Sequence, residues 1–85
     1  MDFPEKDARI TDRGYGALTT REQQILRMVA EGRTTKEIAT ELYISPKTVE
    51  NHRAKILEKL NLHSTIDLIR YAAKLGLIDV DLWKD

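Results

Sequence analysis

Apolar side chains recur along this chain in short stripes at three- and four-residue spacing, the period of a helix that buries one face. Ile25, Leu26 and Val29 form the first stripe, and Thr19 and Glu22 ahead of it stand at capping-box spacing. Helix one is therefore predicted to begin just after Leu18 and to end at Gly32. Thr34 and Glu37 repeat that spacing, and the segment TKEIATEL then puts Ile38, Ala39 and Leu42 on one side, which predicts a second helix of about two turns. Tyr43 and Ile44 make a tight break. Ser45 can cap the free amides that follow and Pro46 has the preset backbone angle of a first helical residue, so helix three is predicted from Pro46 to about Leu60, with Asn61 closing it in a left-handed conformation. Ser64 and Asp67 open helix four, which Gly76 ends after Leu75.

No stretch is predicted as a strand, and the connections are short enough that consecutive helices must pack as neighbours. The expected fold class is all-α, a four-helix bundle containing a helix-turn-helix and no winged elements. Residues 1–16 hold a proline, two glycines and seven charged residues without a sustained period, and are expected to be a flexible linker or tail ahead of a domain at 17–85. Near the other end, Leu82 or Trp83 is expected to fold back over the core, and a partner-binding role for the tryptophan is the alternative.

Composition narrows the chemistry. With 85 residues the chain can build one short core. The absence of cysteine removes disulfides, thiolate metal sites and cysteine nucleophiles together. His52 and His63 lie eleven apart with no neighbouring ligands at metal spacing, and acids and serines sit at caps or on solvated faces, so neither a metal, a cofactor nor an enzymatic site is expected. The charged N-terminal segment and the lack of a long apolar run lead to the expectation of a soluble, cytoplasmic protein without a membrane partner. Net charge is zero, but the average hides a mild asymmetry: residues 33–60 carry six bases against four acids, while residues 1–16 and 61–85 each carry four acids against three bases.

Helix three is where that asymmetry matters. Advancing about 100° per residue, Val49, Arg53, Ile56, Leu57 and Leu60 share the core-facing arc. The opposite side collects Lys47, Asn51, Ala54, Lys55 and Glu58, with Thr48, Glu50 and His52 on the flanks. Lysine can donate to guanine, asparagine can pair bidentately with adenine, glutamate can accept from the cytosine amino group, and alanine can approach a thymine methyl. Phosphates would be held by Thr48, His52, Arg53 and Lys55, helped by the amides where helices two and three begin, at Thr34, Thr35, Lys36 and Ser45. A short helix, a tight break and a longer helix with such a face is the geometry of a helix-turn-helix that places its second helix in the major groove of double-stranded DNA.

The segments LTTREQQIL, TTKEIATEL and ISPKTVENHRAKILEKL resemble the LuxR-type (NarL/FixJ-type) helix-turn-helix family over about Leu18 to Ile78. The marks are the LT-x-RE opening, the Gly32 turn, KEIA, IS-xx-TV leading to His52, and the Lys59-Leu60 close. The resemblance implies a bacterial transcriptional regulator, of the kind that forms the C-terminal output domain of a two-component response regulator. It further implies base contacts from Lys47, Glu50, Asn51 and Ala54, and phosphate contacts from Thr35, Lys36, Thr48, His52 and Lys55. Glu50 departs from the pattern, because relatives often carry lysine there.

Apolar residues on helix four spread over about 220° of the wheel, more than one core needs. In the resembling family that second surface is a two-fold contact, which would make Ile66, Asp67, Ile69, Arg70 and Ala73 the face of a homodimer on DNA, with RNA polymerase a further candidate contact. Two alternatives compete: a sigma-factor-like promoter-reading domain, which would not need the doubly apolar helix four, and a helical protein-interaction module whose helix-three face meets an acidic partner. The pairing of Asn51 with Lys47 favours DNA.

Overall fold

The computed structural model describes residues 14–78. Expectations for residues 1–13, and those for Leu82 and Trp83, lie outside the described residues. A single 3-10 turn, Tyr15–Ala17, precedes four helices: α1 (Thr20–Ala30), α2 (Thr35–Leu42), α3 (Pro46–Leu60) and α4 (Thr65–Lys74), with no strand among the described residues.

Each helix starts where its side chains can satisfy orphan amides. The Thr19 and Thr34 hydroxyls accept from the amides of Glu22 and Glu37, and those carboxylates accept from the threonine amides in return, closing a full capping box at α1 and at α2. Ser45 accepts from the Thr48 amide ahead of Pro46, and Ser64 accepts from the Asp67 amide at α4.

The four ends share one solution as well. Gly32, Tyr43, Asn61 and Gly76 all have positive φ, and the amide of the next residue bonds back to the last turn: Arg33 to the Met28 carbonyl, Ile44 to Ala39, Leu62 to Leu57 and Leu77 to Ala72. This left-handed cap also sends Ile44, Leu62 and Leu77 inward to pack on the core.

Tyr43 is the costly member of that set. It holds φ 59° with a side chain 94% exposed, so the tyrosine bears left-handed strain and gains no packing for it. Tyr43→Gly should therefore stabilise the domain by about 0.5–1 kcal/mol. The check is a denaturant midpoint that rises with an unchanged slope.

The core is built from Ile25, Leu26, Ile38, Val49, Ile56 and Leu68, all fully buried, with Leu18, Met28, Val29, Ala30, Ala39 and Ala72 around them. α1 is the central post: it packs against α4, α3 and α2, and α2 packs in turn on α3. The apolar members of the expected stripes of α1, α2 and α3 lie in this core or against it, whereas Arg53, expected on the core-facing arc of α3, pairs with Glu50 and donates to Thr65 instead.

At the N-terminal side, part of the segment expected to be a linker packs on the domain. Gly14 is buried, Tyr15 packs against the core, and the Tyr15 carbonyl accepts from Gln23 Nε2 at 2.9 Å. Gly14 is required there by space, since a Cβ would collide with the Tyr71 hydroxyl and crowd the Leu60 side chain. Charge and glycine content suggested a linker because the pattern is silent about a backbone that packs without a helical period. The Tyr71 hydroxyl is buried with no well-formed hydrogen bond, and burial pushes its pKa up against the partial opposition of the Tyr15 amide.

Candidate nucleic-acid interface

α3 offers its buried side through Val49 and Ile56, with Leu57 and Leu60 half-buried beside them. The other side is open: Lys47, Glu50, Asn51, Ala54, Lys55 and Glu58 are all exposed, with Thr48, His52 and Arg53 half-buried at its margins. The fifteen-residue length of α3 and its proline start fix this division, because the helical period locks every outward residue once Val49 and Ile56 are buried.

The start of α2 lies alongside this face. The Thr35 hydroxyl donates to Glu50 Oε2 at 2.7 Å, a contact across fifteen residues of chain that ties the first turn of α2 to the middle of α3. In that first turn the Thr35 and Lys36 amides have no intrahelical acceptor, since the capping box uses only the Thr34 and Glu37 amides. At α3 the proline has no N–H and the Thr48 amide bonds Ser45, which leaves the Lys47 amide. Ser45 and Thr48 also share a hydroxyl hydrogen bond of 2.9 Å. Two helix N-termini, each with a positive dipole end and unsatisfied donors, thus flank an exposed polar face.

The charges of the middle segment divide into two groups. Arg33 pairs with Glu31 and Glu41, Arg53 with Glu50, and Lys59 with Glu22. Lys36, Lys47 and Lys55 are exposed and form no ion pair with any described residue. Half of the six bases are thus committed internally, and those left over sit at the start of α2 and on α3.

Among the expected contact residues, Arg53 and Glu50 are engaged within the domain. Arg53 was expected on a phosphate, but its guanidinium pairs with Glu50 and its Nη1 donates to the Thr65 hydroxyl at 3.0 Å, at the first turn of α4. Glu50 was expected at a base edge, and it accepts from both Thr35 and Arg53. The Arg53 hydrogen bond, reinforced by that from Thr35, holds the Glu50 carboxyl below its ordinary value, so it is an anion at neutral pH.

Glu22, expected as the capping-box partner of Thr19, is also 4% exposed and takes Lys59 Nζ at 2.8 Å on the same Oε1 that accepts from the Thr19 amide at 2.9 Å. Burial alone would raise its pKa, but the Lys59 hydrogen bond and charge and the Thr19 bonds outweigh that, and the net pKa is lowered. A signal was present, since Glu22 lies on the stripe of Ile25, Leu26 and Val29 at helical spacing and must point inward with them.

On α4, Leu68 and Ala72 face the core, whereas Ile66 is 62% exposed, Arg70 is exposed, and Asp67, Ile69 and Ala73 are half-buried. Ile66, Ile69, Arg70 and Ala73 are spaced along one outer stripe. Asp67 also has local work, its carboxylate accepting from the His63 amide at 3.4 Å. Among the described residues, no group of three or more His, Cys, Asp or Glu is placed to hold a metal, and no helix is long and apolar enough to cross a membrane.

A short helix, a left-handed turn at Tyr43 and a longer helix with an open polar face form a helix-turn-helix, and comparisons with known proteins agree with that geometry. Residues 16–72 match the model of the family described as bacterial regulatory proteins, luxR family. Over 63 residues the chain is 49% identical to the uncharacterized response regulatory protein YgeK of Escherichia coli, covering 74% of this chain and 43% of that protein. Over 74 residues it is 45% identical to the oxygen regulatory protein NreC of Staphylococcus carnosus, covering 87% of this chain and 34% of that one. The chain therefore spans less than half the length of these relatives. Among solved structures, full-length FixJ from B. japonicum superposes with a TM-score of 0.73 at 31% identity, covering 89% of this chain and 38% of that chain. This chain belongs to the luxR family of bacterial regulatory proteins, and residues 35–60 form its helix-turn-helix.

Proposed function

We propose that the domain regulates transcription by binding double-stranded DNA at specific sequences, with α3 in the major groove. The observation that carries this reading is the exposed face of α3, in which Lys47, Asn51 and Ala54 stand opposite buried Val49 and Ile56. Lys47 and Asn51 supply donors that base edges can discriminate, and Ala54 permits close approach. Phosphates are taken by the Thr35, Lys36 and Lys47 amides, by the hydroxyls of Thr34, Ser45 and Thr48, and by His52, Lys36 and Lys55. Two copies meet through the outer stripe of α4, at Ile66, Asp67, Ile69, Arg70 and Ala73, on a site of two related halves. In this role the domain is the output module of a response regulator acting in the cytoplasm.

The test is selection of bound duplexes from a random pool at physiological salt, with sedimentation of the complex. An enriched motif with two related half-sites and a two-copy complex is the expected result. A single half-site bound by one copy would remove the dimer and keep DNA reading. No enrichment would overturn sequence-specific binding and return the α3 face to a protein partner.

A further inference from the structure

The charged and polar groups that bridge the helices around α3 form a chain: Thr35 on α2 donates to Glu50, Glu50 pairs with Arg53 one turn along α3, and Arg53 donates to Thr65 at the start of α4. Two of the four lie on α3 itself, and the other two open the helices on either side of it in sequence. Both groups that Glu50 holds are donors of the type that grips phosphate, a guanidinium and a hydroxyl. Glu50 is itself half-exposed, its side chain retaining 47% of its accessible surface, and so its charge is felt beyond the domain.

We propose that Glu50 is a specificity determinant that reads no base: by pairing Arg53 and occupying the Thr35 hydroxyl, it withholds both from phosphate and suppresses sequence-independent attraction to DNA. The inference rests on the DNA-binding reading above. Non-specific affinity is almost wholly electrostatic and scales with the number of phosphates neutralised, whereas base contacts add only on the right sequence. A cation held by an internal carboxylate contributes little to the first term, and the carboxylate itself repels the backbone. Discrimination then rises because the background falls. The zero net charge of the whole chain fits the same logic, since the domain presents a few uncommitted lysines rather than a basic sheet.

The geometry also argues against a base contact by Glu50. Oε1 accepts from Arg53 and Oε2 from Thr35, so a cytosine amino group would have to share an oxygen with a donor that the carboxylate already holds.

Glu50→Gln removes the charge and keeps the shape and an acceptor for Thr35. The experiment measures binding of the wild type, Glu50→Gln and Glu50→Gln/Arg53→Met to a random-sequence duplex and to the selected site, each across a salt titration. For Glu50→Gln we expect random-duplex affinity to rise about 3- to 10-fold at low salt and the salt slope to steepen by roughly 0.9, the value for one further phosphate contact. Affinity for the selected site should rise less, so that the specificity ratio falls. The double variant should return the slope to that of the wild type, because the liberated cation is gone. An unchanged slope and unchanged random-duplex affinity in Glu50→Gln, with altered preference at one base pair, would overturn the proposal and make Glu50 a base reader. If the wild type bound neither duplex in a salt-dependent way, the DNA-binding reading itself would fail, an outcome distinct from the previous one. Thermal melts of the three proteins, expected to be close, guard against a folding artefact.

Discussion

Lys59→Met should lower folding stability by about 2–3 kcal/mol at pH 7, and the loss should shrink as the pH falls toward about 4. Glu22 is nearly inaccessible and Lys59 Nζ is its charge partner, so methionine leaves the carboxylate buried with the Thr19 bonds as its remaining support. Breaking a buried pair from one side typically costs about 3–5 kcal/mol, and the lower figure applies here because the Lys59 side chain keeps 36% of its surface in solvent.

The pH dependence follows from the direction of the shift. In the wild type the folded-state pKa of Glu22 lies below its unfolded value, so its contribution is fully present above the unfolded pKa and is lost as pH falls through the folded one. In Lys59→Met the desolvation that raises this pKa loses its main opponent while the Thr19 bonds remain, so the folded value moves up and protonation on the acid side costs the variant less than the wild type. The two stability curves should approach each other on the acid side. Urea unfolding at pH 7 and at about pH 4 checks this, and a gap that stays constant would mean that the lysine acts through its aliphatic stem rather than its charge.

Two changes on the open face of α3 should separate base reading from backbone holding. Asn51→Ala is expected to cost about 1–3 kcal/mol on the selected site and to relax preference at one base pair, since a bidentate amide is the group that distinguishes adenine in the major groove. On a random duplex it should change little, because Asn51 carries no charge. Lys55→Ala should instead weaken all sequences alike and flatten the salt slope by roughly 0.9, as expected for one released phosphate contact. Lys55 forms no ion pair with a described residue, so the variant leaves no described partner unmatched. Selection with each variant, followed by salt titrations on both duplexes, distinguishes them. Matching profiles would mean that Asn51 and Lys55 do the same work and that the assignment of the face is wrong. Neither side chain touches the core, so equal melting temperatures are expected.

The chain's local grammar is unusually complete. Thr19 with Glu22, Thr34 with Glu37, Ser45 with Pro46 and Ser64 with Asp67 marked the helix starts, because a cap is an interaction between residues close in sequence. Gly32, Asn61 and Gly76 marked three of the ends, since few residues accept a left-handed backbone without strain. Tyr43 does the same job and announces nothing, as a tyrosine enters that conformation only when the tight turn into Ser45 and Pro46 demands it. Helical period then sorted α3 into a face with Val49 and Ile56 and a face with Lys47, Asn51 and Lys55, and the packed structure keeps that division.

Pairs distant in sequence were decided by the tertiary structure alone. Glu22 meets Lys59 across 37 residues, Thr35 meets Glu50 across 15, and Arg53 meets Thr65 across 12. A wheel can place Arg53 near the core and Glu50 on a flank, but it holds no information on which neighbouring helix will present a hydroxyl or a carboxylate there. Those partners depend on how α1, α2 and α4 dock around α3, which is set by side-chain packing over the whole core. Gly14 belongs to the same class, its smallness being demanded by the Tyr71 ring of α4 rather than by anything beside it in the chain. What the sequence determined by itself was therefore each helix, its caps and its two faces, because these follow from interactions within about one turn. Which charges remain free for a partner and which are spent inside the domain was decided only when the helices came together.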